Sequence, residues 1–321
     1  MPGSSHNQTL SFLIRRFEEV GIHPKTQHGQ NFLIDLNLLR LLLDAAQLDR
    51  DDVVLEVGAG TGSLTVLLAE LAGDVISVEI DAQMHQLASE TAINAANVKL
   101  LRLDALKSKN TLNPLVLTAV NEALSAGPSR RFKLVANLPF NVATPIISNL
   151  LLTEVVPHSM TITIQKELAD RIMARPSTKD YGALSIWMQS QSRIELVRLL
   201  PPTAFWPRPK VTSAILHIVR DDALRNRIPH LRFFHDFVRA MFFHRRKLLR
   251  SELLSAFKNR LDKPQVDALL ASQNLIPTVR AEELEAASLL SLCEAVRAVT
   301  GSDSPLASER KTATAAFTRE S

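Results

Sequence analysis

The sequence predicts an α/β protein, a mostly parallel sheet covered by helices on both faces, followed by a small all-α domain. Three observations carry this. Short β-branched runs alternate with helical periodicity from residue 53 to residue 219, the pattern of strand–helix–strand units. The first such run ends in Gly58, Gly60 and Gly62, the tight strand-to-helix turn of such sheets. After about Val219 only a helical period remains.

The elements follow in order. Leu10, Leu13, Ile14 and Phe17 at helical spacing, with Gly21 as a stop, predict a helix over 7–21. A polar, irregular stretch from Lys25 leads to a second helix, Leu36–Leu48. Val53–Val57 is a buried strand and Ser63–Leu71 a helix. Asp74–Glu79, Val98–Leu103, Phe132–Ala136 and Met160–Gln165 are further strands. Ala82–Asn94, Pro145–Leu152 and Lys166–Ala174 are the helices between and after them. Asn110–Arg130 is expected to be an insertion or long connection, and Ile194–Leu199 with Ala214–Val219 a closing pair of strands. Residues 233–300 read as helices, with the phenylalanines from Phe233 to Phe243 as their core. The predicted domains are therefore 1–222 for the sheet and 223–300 for the helical part. A Ser/Thr/Ala-rich tail at 301–321 has the composition of disordered chain.

Composition narrows the class. Of the 321 residues, 46% are hydrophobic and 22% charged, which is ordinary for globular proteins and excludes a wholly disordered or collagen-like chain. The single cysteine, Cys293, excludes an intrachain disulfide and fits a reducing compartment. Arg40, Asp44 and Glu154 interrupt the longest apolar stretches, so no transmembrane helix is expected. The first ten residues lack the basic-then-apolar layout of a secretory signal. The expectation is a soluble cytoplasmic protein with no membrane partner. Net charge is only +4, but residues 205–260 carry +9 while 1–204 carry −2 and 261–321 carry −3. A polyanion is the natural partner of that basic segment; a solvated basic face is the plainer alternative.

The glycine loop narrows the ligand. Its Gly-x-Gly-x-Gly spacing departs from the dinucleotide fingerprint, with Ser63 where the third glycine would stand. Glu56 lies two residues before the first glycine. A carboxylate there opposes a pyrophosphate and favours a cation. S-adenosylmethionine carries a sulfonium and an ammonium and no phosphate, so charge sign selects it over NAD. Glu79 ends the next strand, 17 residues after Gly62, where a carboxylate accepts from a ribose diol. Asp104, just after the third strand, is placed to accept from an adenine amino group; each acid alone could equally be a helix N-cap.

The strand Phe132–Ala136 runs into Asn137-Leu138-Pro139-Phe140. Methylating an exocyclic adenine amine is hard because its lone pair is delocalised into the ring. Two acceptors that take the amino hydrogens favour a more tetrahedral nitrogen and aim its lone pair. The Asn137 side-chain oxygen and the Leu138 backbone carbonyl are suited to this. Pro139 fixes the turn, and Phe140 offers a face to an unstacked base. The product amine loses its proton readily to water, so no strong base is needed and catalysis is positioning and electrostatics.

With these motifs in view the sequence resembles the ribosomal RNA adenine dimethyltransferases, over roughly residues 10–300. The resemblance is carried by Gly29–Leu33, Glu56–Gly62, Glu79–Asp81, Asp104–Leu106, Asn137–Asn141 with Thr144-Pro145, Gln165–Glu167, Tyr181–Ser185, Phe205–Val211 and Arg245–Lys247. It implies a Rossmann-like class I SAM-dependent methyltransferase sheet domain with S-adenosylmethionine as methyl donor and no metal. It also implies an enzyme that dimethylates N6 of two adjacent adenosines in a hairpin loop near the 3′ end of 16S rRNA, late in ribosome biogenesis. The partner would be the small ribosomal subunit, and the protein a monomer. Asn31 and Leu33 would contact the methionine part of the donor, Gly58 and Gly60 would approach it by backbone, and Glu56 belongs to the same site. Glu79 would hold the ribose, Asp104 the adenine, and Asn137 both donor and target amine. Arg208, Lys210, Arg245, Arg246 and Lys247 would face RNA. Phe140 stands where bacterial members usually have tyrosine, and Ala59 where proline is common; both changes keep the needed shape. A non-catalytic assembly factor on the same fold would be expected to lack Asn137 or Glu79, and both are present. The nine histidines show no metal spacing.

Overall fold

The computed structural model describes Ile14, Arg15, Phe17 and residues 30–301. Ile14, Arg15 and Phe17 are helical; the rest of the predicted helix over 7–21, and the predicted tail beyond Gly301, lie outside the described residues. The chain divides into two compact units. One comprises the described residues up to Ala169 together with Arg193–Arg220, the other Asp170–Ser192 and the described residues from Asp221 onward.

The first unit opens with strand β1 (Phe32–Leu33) and helix α1 (Leu36–Ala46). Asp35 caps α1, its Oδ1 accepting from the Asn37 N–H at 2.9 Å, one of the donors a helix start leaves unpaired. Then come β2 (Asp52–Val57), α2 (Ser63–Leu71), β3 (Asp74–Glu79), α3 (Ala82–Thr91) and β4 (Val98–Arg102). A hairpin, β5 (Leu106–Ser108) with β6 (Thr111–Leu112), precedes α4 (Pro114–Leu124). The unit continues with β7 (Arg131–Asn137), α5 (Ala143–Leu150), β8 (Ser159–Gln165) and α6 (Lys166–Met173), the last straddling the boundary.

Helix α7 (Ala183–Gln189) belongs to the second unit. Strands β9 (Ser192–Leu200), β10 (Phe205–Trp206) and β11 (Ser213–Arg220) follow. The central sheet has the order β4-β3-β2-β7-β8-β11-β9. β4, β3, β2, β7 and β8 are parallel and β11 runs antiparallel to β8. From β2 the chain builds outward through β3 and β4, then returns to β7 on the other side of β2. Ligands of such sheets bind at the carboxyl ends of the strands where the order reverses.

β2 is buried along its whole length, as a central parallel strand must be. Its first residue, Asp52, pairs with the buried Lys133 Nζ at 2.9 Å. That ammonium also donates to the Gln47 carbonyl at 2.7 Å, which compensates a charge too costly to bury alone. Of the two expected alternatives, Asn110–Arg130 is the long connection between strands and not an insertion. Asn113 caps α4 through a 3.1 Å bond from the Leu115 N–H, with Pro114 at the first helical position. The helix packs on β2, β3 and β7 as the crossover between β4 and β7.

The second unit holds α7, α8 (Asp222–Arg225), α9 (Leu231–Met241), α10 (Leu249–Ala256), α11 (Lys263–Ser272) and α12 (Ala286–Thr300). Its centre is aromatic: Phe233, Phe234, Phe237 and Phe257 are fully buried. Two expectations need correcting. The boundary at 222 misses Asp170–Ser192, which joins this unit because α7 packs against α9 and α12. The phenylalanine core stops short of Phe243, which is 43% exposed because it follows the end of α9. Among the described residues no helix is long and apolar enough to cross a membrane.

Candidate active site

A cavity of about 200 Å³ opens at the carboxyl ends of β2, β3 and β7. Asn31, Leu33, Glu56, Gly58, Gly60, Glu79 and Asp104 line it, and so does the whole Asn137–Phe140 segment. The structure thus brings together, in one cleft, every donor-binding and catalytic residue expected from the sequence. Among the described residues no lysine, arginine or histidine lines it.

The glycine loop owes its course to backbone conformations that side chains resist. Gly58 has φ +88°, and a Cβ there would stand 3.1 Å from Pro139 Cγ. Gly60 has φ +55°. Its N–H donates to Glu79 Oε2 at 2.9 Å, while Glu79 Oε1 accepts from the Asp81 N–H at 2.9 Å. The strand-end carboxylate and the loop are thereby locked to each other. Burial raises the Glu79 carboxyl above its ordinary range, against the opposing pull of these N–H donors.

Glu56 sits deeper. Its Oε2 accepts from Thr65 Oγ1 and Ser77 Oγ, both at 2.6 Å. Burial nevertheless pushes its carboxyl up to about 7, since the charged form loses more to desolvation than two hydroxyls return. Thr65 and Ser77 were not foreseen as site residues. The readable signal was Ser77 in the apolar run Val75-Ile76-Ser77-Val78 of a central strand, a polar group that needs a buried partner. Asp104 is exposed and turns its Oδ1 to the Leu106 N–H at 2.9 Å.

The Asn137 amide has a fixed sense. Its Nδ2 donates to the Asn31 carbonyl at 2.7 Å, which leaves Oδ1 as its acceptor end. Leu138 buries its side chain and donates its N–H to the Thr163 carbonyl at 3.1 Å. The Pro139 carbonyl accepts from the Val142 N–H at 3.1 Å, which closes the turn ahead of α5. Phe140 remains partly exposed. Among the described residues no group of three His, Cys, Asp or Glu is disposed to hold a metal ion.

Of the basic residues expected to meet RNA, Arg208, Lys210, Arg246 and Lys247 are exposed. Arg245 is different. Its guanidinium is engaged by the Glu282 carboxylate and by the carbonyls of Lys179 and Thr178, the last at 2.7 Å. It ties loops of the second unit together, and an arginine whose donors are so committed has few left for phosphate.

Comparisons with known proteins agree with this geometry. The profile of a family described as ribosomal RNA adenine dimethylase matches residues 22–296. A protein of Streptococcus mutans named ribosomal RNA small subunit methyltransferase A is 36% identical over 283 residues, covering 88% of this chain and 94% of that protein. One of the same name from Listeria innocua is 39% identical over 259 residues, covering 81% and 85%. Among solved structures, a dimethyladenosine transferase from Plasmodium falciparum superposes with a TM-score of 0.66 at 23% identity, over 80% of this chain and 94% of that one. The 23S rRNA methyltransferase ErmE gives 0.57 at 24% identity, over 83% and 99%. These two establish the class I methyltransferase fold. The cleft, its acidic lining and the extent of the match lead to one assignment: this chain belongs to the ribosomal RNA adenine dimethylase family.

Proposed function

We infer that this enzyme transfers methyl groups from S-adenosylmethionine to N6 of two adjacent adenosines in a hairpin loop near the 3′ end of 16S rRNA. It acts as a cytoplasmic monomer on the small ribosomal subunit, late in assembly. The donor fits the cleft by charge. Among the described residues two buried carboxylates and no cationic side chain line it, which suits a cation and repels a pyrophosphate. When bound, the donor supplies an electrophilic methyl group.

Every other task falls to the chain. Glu79 accepts the ribose hydroxyls, exchanging them for a backbone N–H it holds here. Asp104 accepts from the adenine of the donor, and Glu56 faces its positive end. Asn137 Oδ1 and the Leu138 carbonyl accept the two hydrogens of the target amine, while the Phe140 ring stacks on the target base. Dimethylation needs the same site twice; after the first transfer one hydrogen remains for one acceptor.

The observation that carries this reading is the Asn137–Asn31 bond, which sets the amide oxygen as an acceptor at the rim of an acidic cleft. The test is incubation with unmethylated small subunits and labelled donor, then mapping of the labelled nucleosides. N6,N6-dimethyladenosine at two neighbouring positions is expected. Asn137→Ala should cut transfer roughly 100- to 1000-fold, as loss of one preorganised group does, with subunit binding retained. Label on another nucleoside, or undiminished turnover by that variant, would refute it.

A further inference from the structure

We propose that Phe243 is an RNA-stacking residue: its exposed ring takes an unpaired rRNA nucleobase while Arg246 and Lys247 hold the neighbouring phosphates. The inference rests on the reading of this protein as an rRNA-binding enzyme and adds a contact to it. Phe243 does not line the cavity, so the base it takes is not the one being methylated.

A single exposed apolar residue is ordinary; the setting of this one is not. Phe243 leads a short turn of two exposed cations, Arg246 and Lys247, within the segment of net charge +9. The turn is closed by the Lys247 N–H on the His244 carbonyl at 2.8 Å. It is then pinned twice from below. His244 Nδ1 lies 3.1 Å from Oε1 of Glu252, a buried carboxylate of α10. Arg245 is held by Glu282, Thr178 and Lys179.

The two residues between Phe243 and Arg246 thus serve as anchors. The ring itself meets His244 edge-to-face, centroids 4.6 Å apart and planes at 86°. An aromatic ring braced on a rigid turn loses little entropy on binding. An aromatic face beside cations is what single-stranded RNA recognition uses, because any base offers a π-face to stack on. A negatively charged protein surface would use the cations but would gain nothing specific from a flat ring.

The test compares wild type, Phe243→Leu and Phe243→Trp for binding to unmethylated small subunits. Leucine keeps apolar bulk and loses the flat face; tryptophan keeps it. Phe243→Leu should weaken binding roughly 5- to 100-fold and Phe243→Trp less than about twofold. The salt dependence should stay unchanged, since no charge is removed. Affinity for S-adenosylmethionine and the thermal midpoint should also stay as in wild type.

A photoreactive p-benzoylphenylalanine placed at position 243 provides the second measurement, independent of how the leucine variant folds. Crosslinks should map to an unpaired rRNA nucleotide by primer extension. Equal binding by Phe243→Leu and wild type overturns the proposal, as does a crosslink confined to a ribosomal protein. Wild type failing to bind small subunits at all would overturn the underlying functional reading instead.

Discussion

Glu56 keeps a carboxyl that is almost wholly buried at the floor of the cleft, and the cost falls on the free protein. Its carboxyl titrates at about 7 in the fold against an ordinary 4.5. Between those values the folded chain holds a proton that the unfolded chain has released. Stability therefore falls as pH rises from 4.5 to 7, because the native state binds more protons. A cationic ligand reverses the balance, for it favours the ionised carboxylate and expels that proton. Affinity for S-adenosylmethionine should accordingly rise with pH and level off above about 7. Glu56→Gln should remove this slope and weaken donor binding by about 1.5–3 kcal/mol, the worth of a contact to a charged group. The same variant should be the more stable of the two at pH 8 without ligand, since the desolvated charge is gone. Calorimetric titrations at pH 6, 7 and 8 check both; an affinity flat across that range in wild type would count against Glu56 facing the donor's charge.

Glycines decide the strand-to-helix turn at the scale of the element. Gly62, at the start of α2, has φ +82°, and a Cβ there would lie 2.9 Å from Ala88 Cα. The neighbour is helix backbone of α3 and has no way to step aside. Gly62→Ala should cost about 1–2 kcal/mol for the left-handed conformation alone, with the collision added. For a unit of this size each kcal/mol lowers the thermal midpoint by about 2–4 °C. Gly127→Ala is the control, since its Cβ would meet only Arg130 Cγ at 3.8 Å. Differential scanning calorimetry should find the first variant several degrees lower and the second unchanged.

Such positions also explain what could be read from the sequence. The glycine spacing, the strand-end acids and the Asn137 turn are local signals, each within a few residues of the strand that presents it, and the structure gathers them in one cleft. Helix α4 is hard to read although Asn113-Pro114 is a start signal, because the exposed Leu115 and half-buried Leu117 blur the buried stripe of Val116, Ala119 and Val120. The internal anchoring of Arg245 is not legible in the sequence. Its partners Thr178, Lys179 and Glu282 are remote in the chain, and no spacing rule foretells a pairing that only tertiary packing creates. Phe243 fails for the complementary reason: the helical period of α9 runs on into it, while the helix itself has ended.

Charge is the property that belongs to the whole molecule. The net +4 conceals a segment of +9 at 205–260 between two acidic stretches. That segment contributes Arg208 and Lys210 to the first unit and Arg246 and Lys247 to the second, all exposed. A cation that neutralises an RNA phosphate releases a condensed counterion, so log K falls with log salt by about 0.7–0.9 for each phosphate contacted. The donor is a small cation with no condensed atmosphere, and its affinity should hardly respond to salt. Subunit binding should respond steeply. Replacing Arg246 and Lys247 together by glutamate should reduce that slope by about 1.4–1.8, and the Arg208→Glu, Lys210→Glu pair by a similar amount. Counterion release follows the number of phosphates held, so the four changes combined should reduce the slope by the sum of the two pairs. Titrations of small subunits across a series of KCl concentrations measure each slope directly. A pair that leaves the slope untouched is a solvated face, and the RNA surface would then be confined to the other pair.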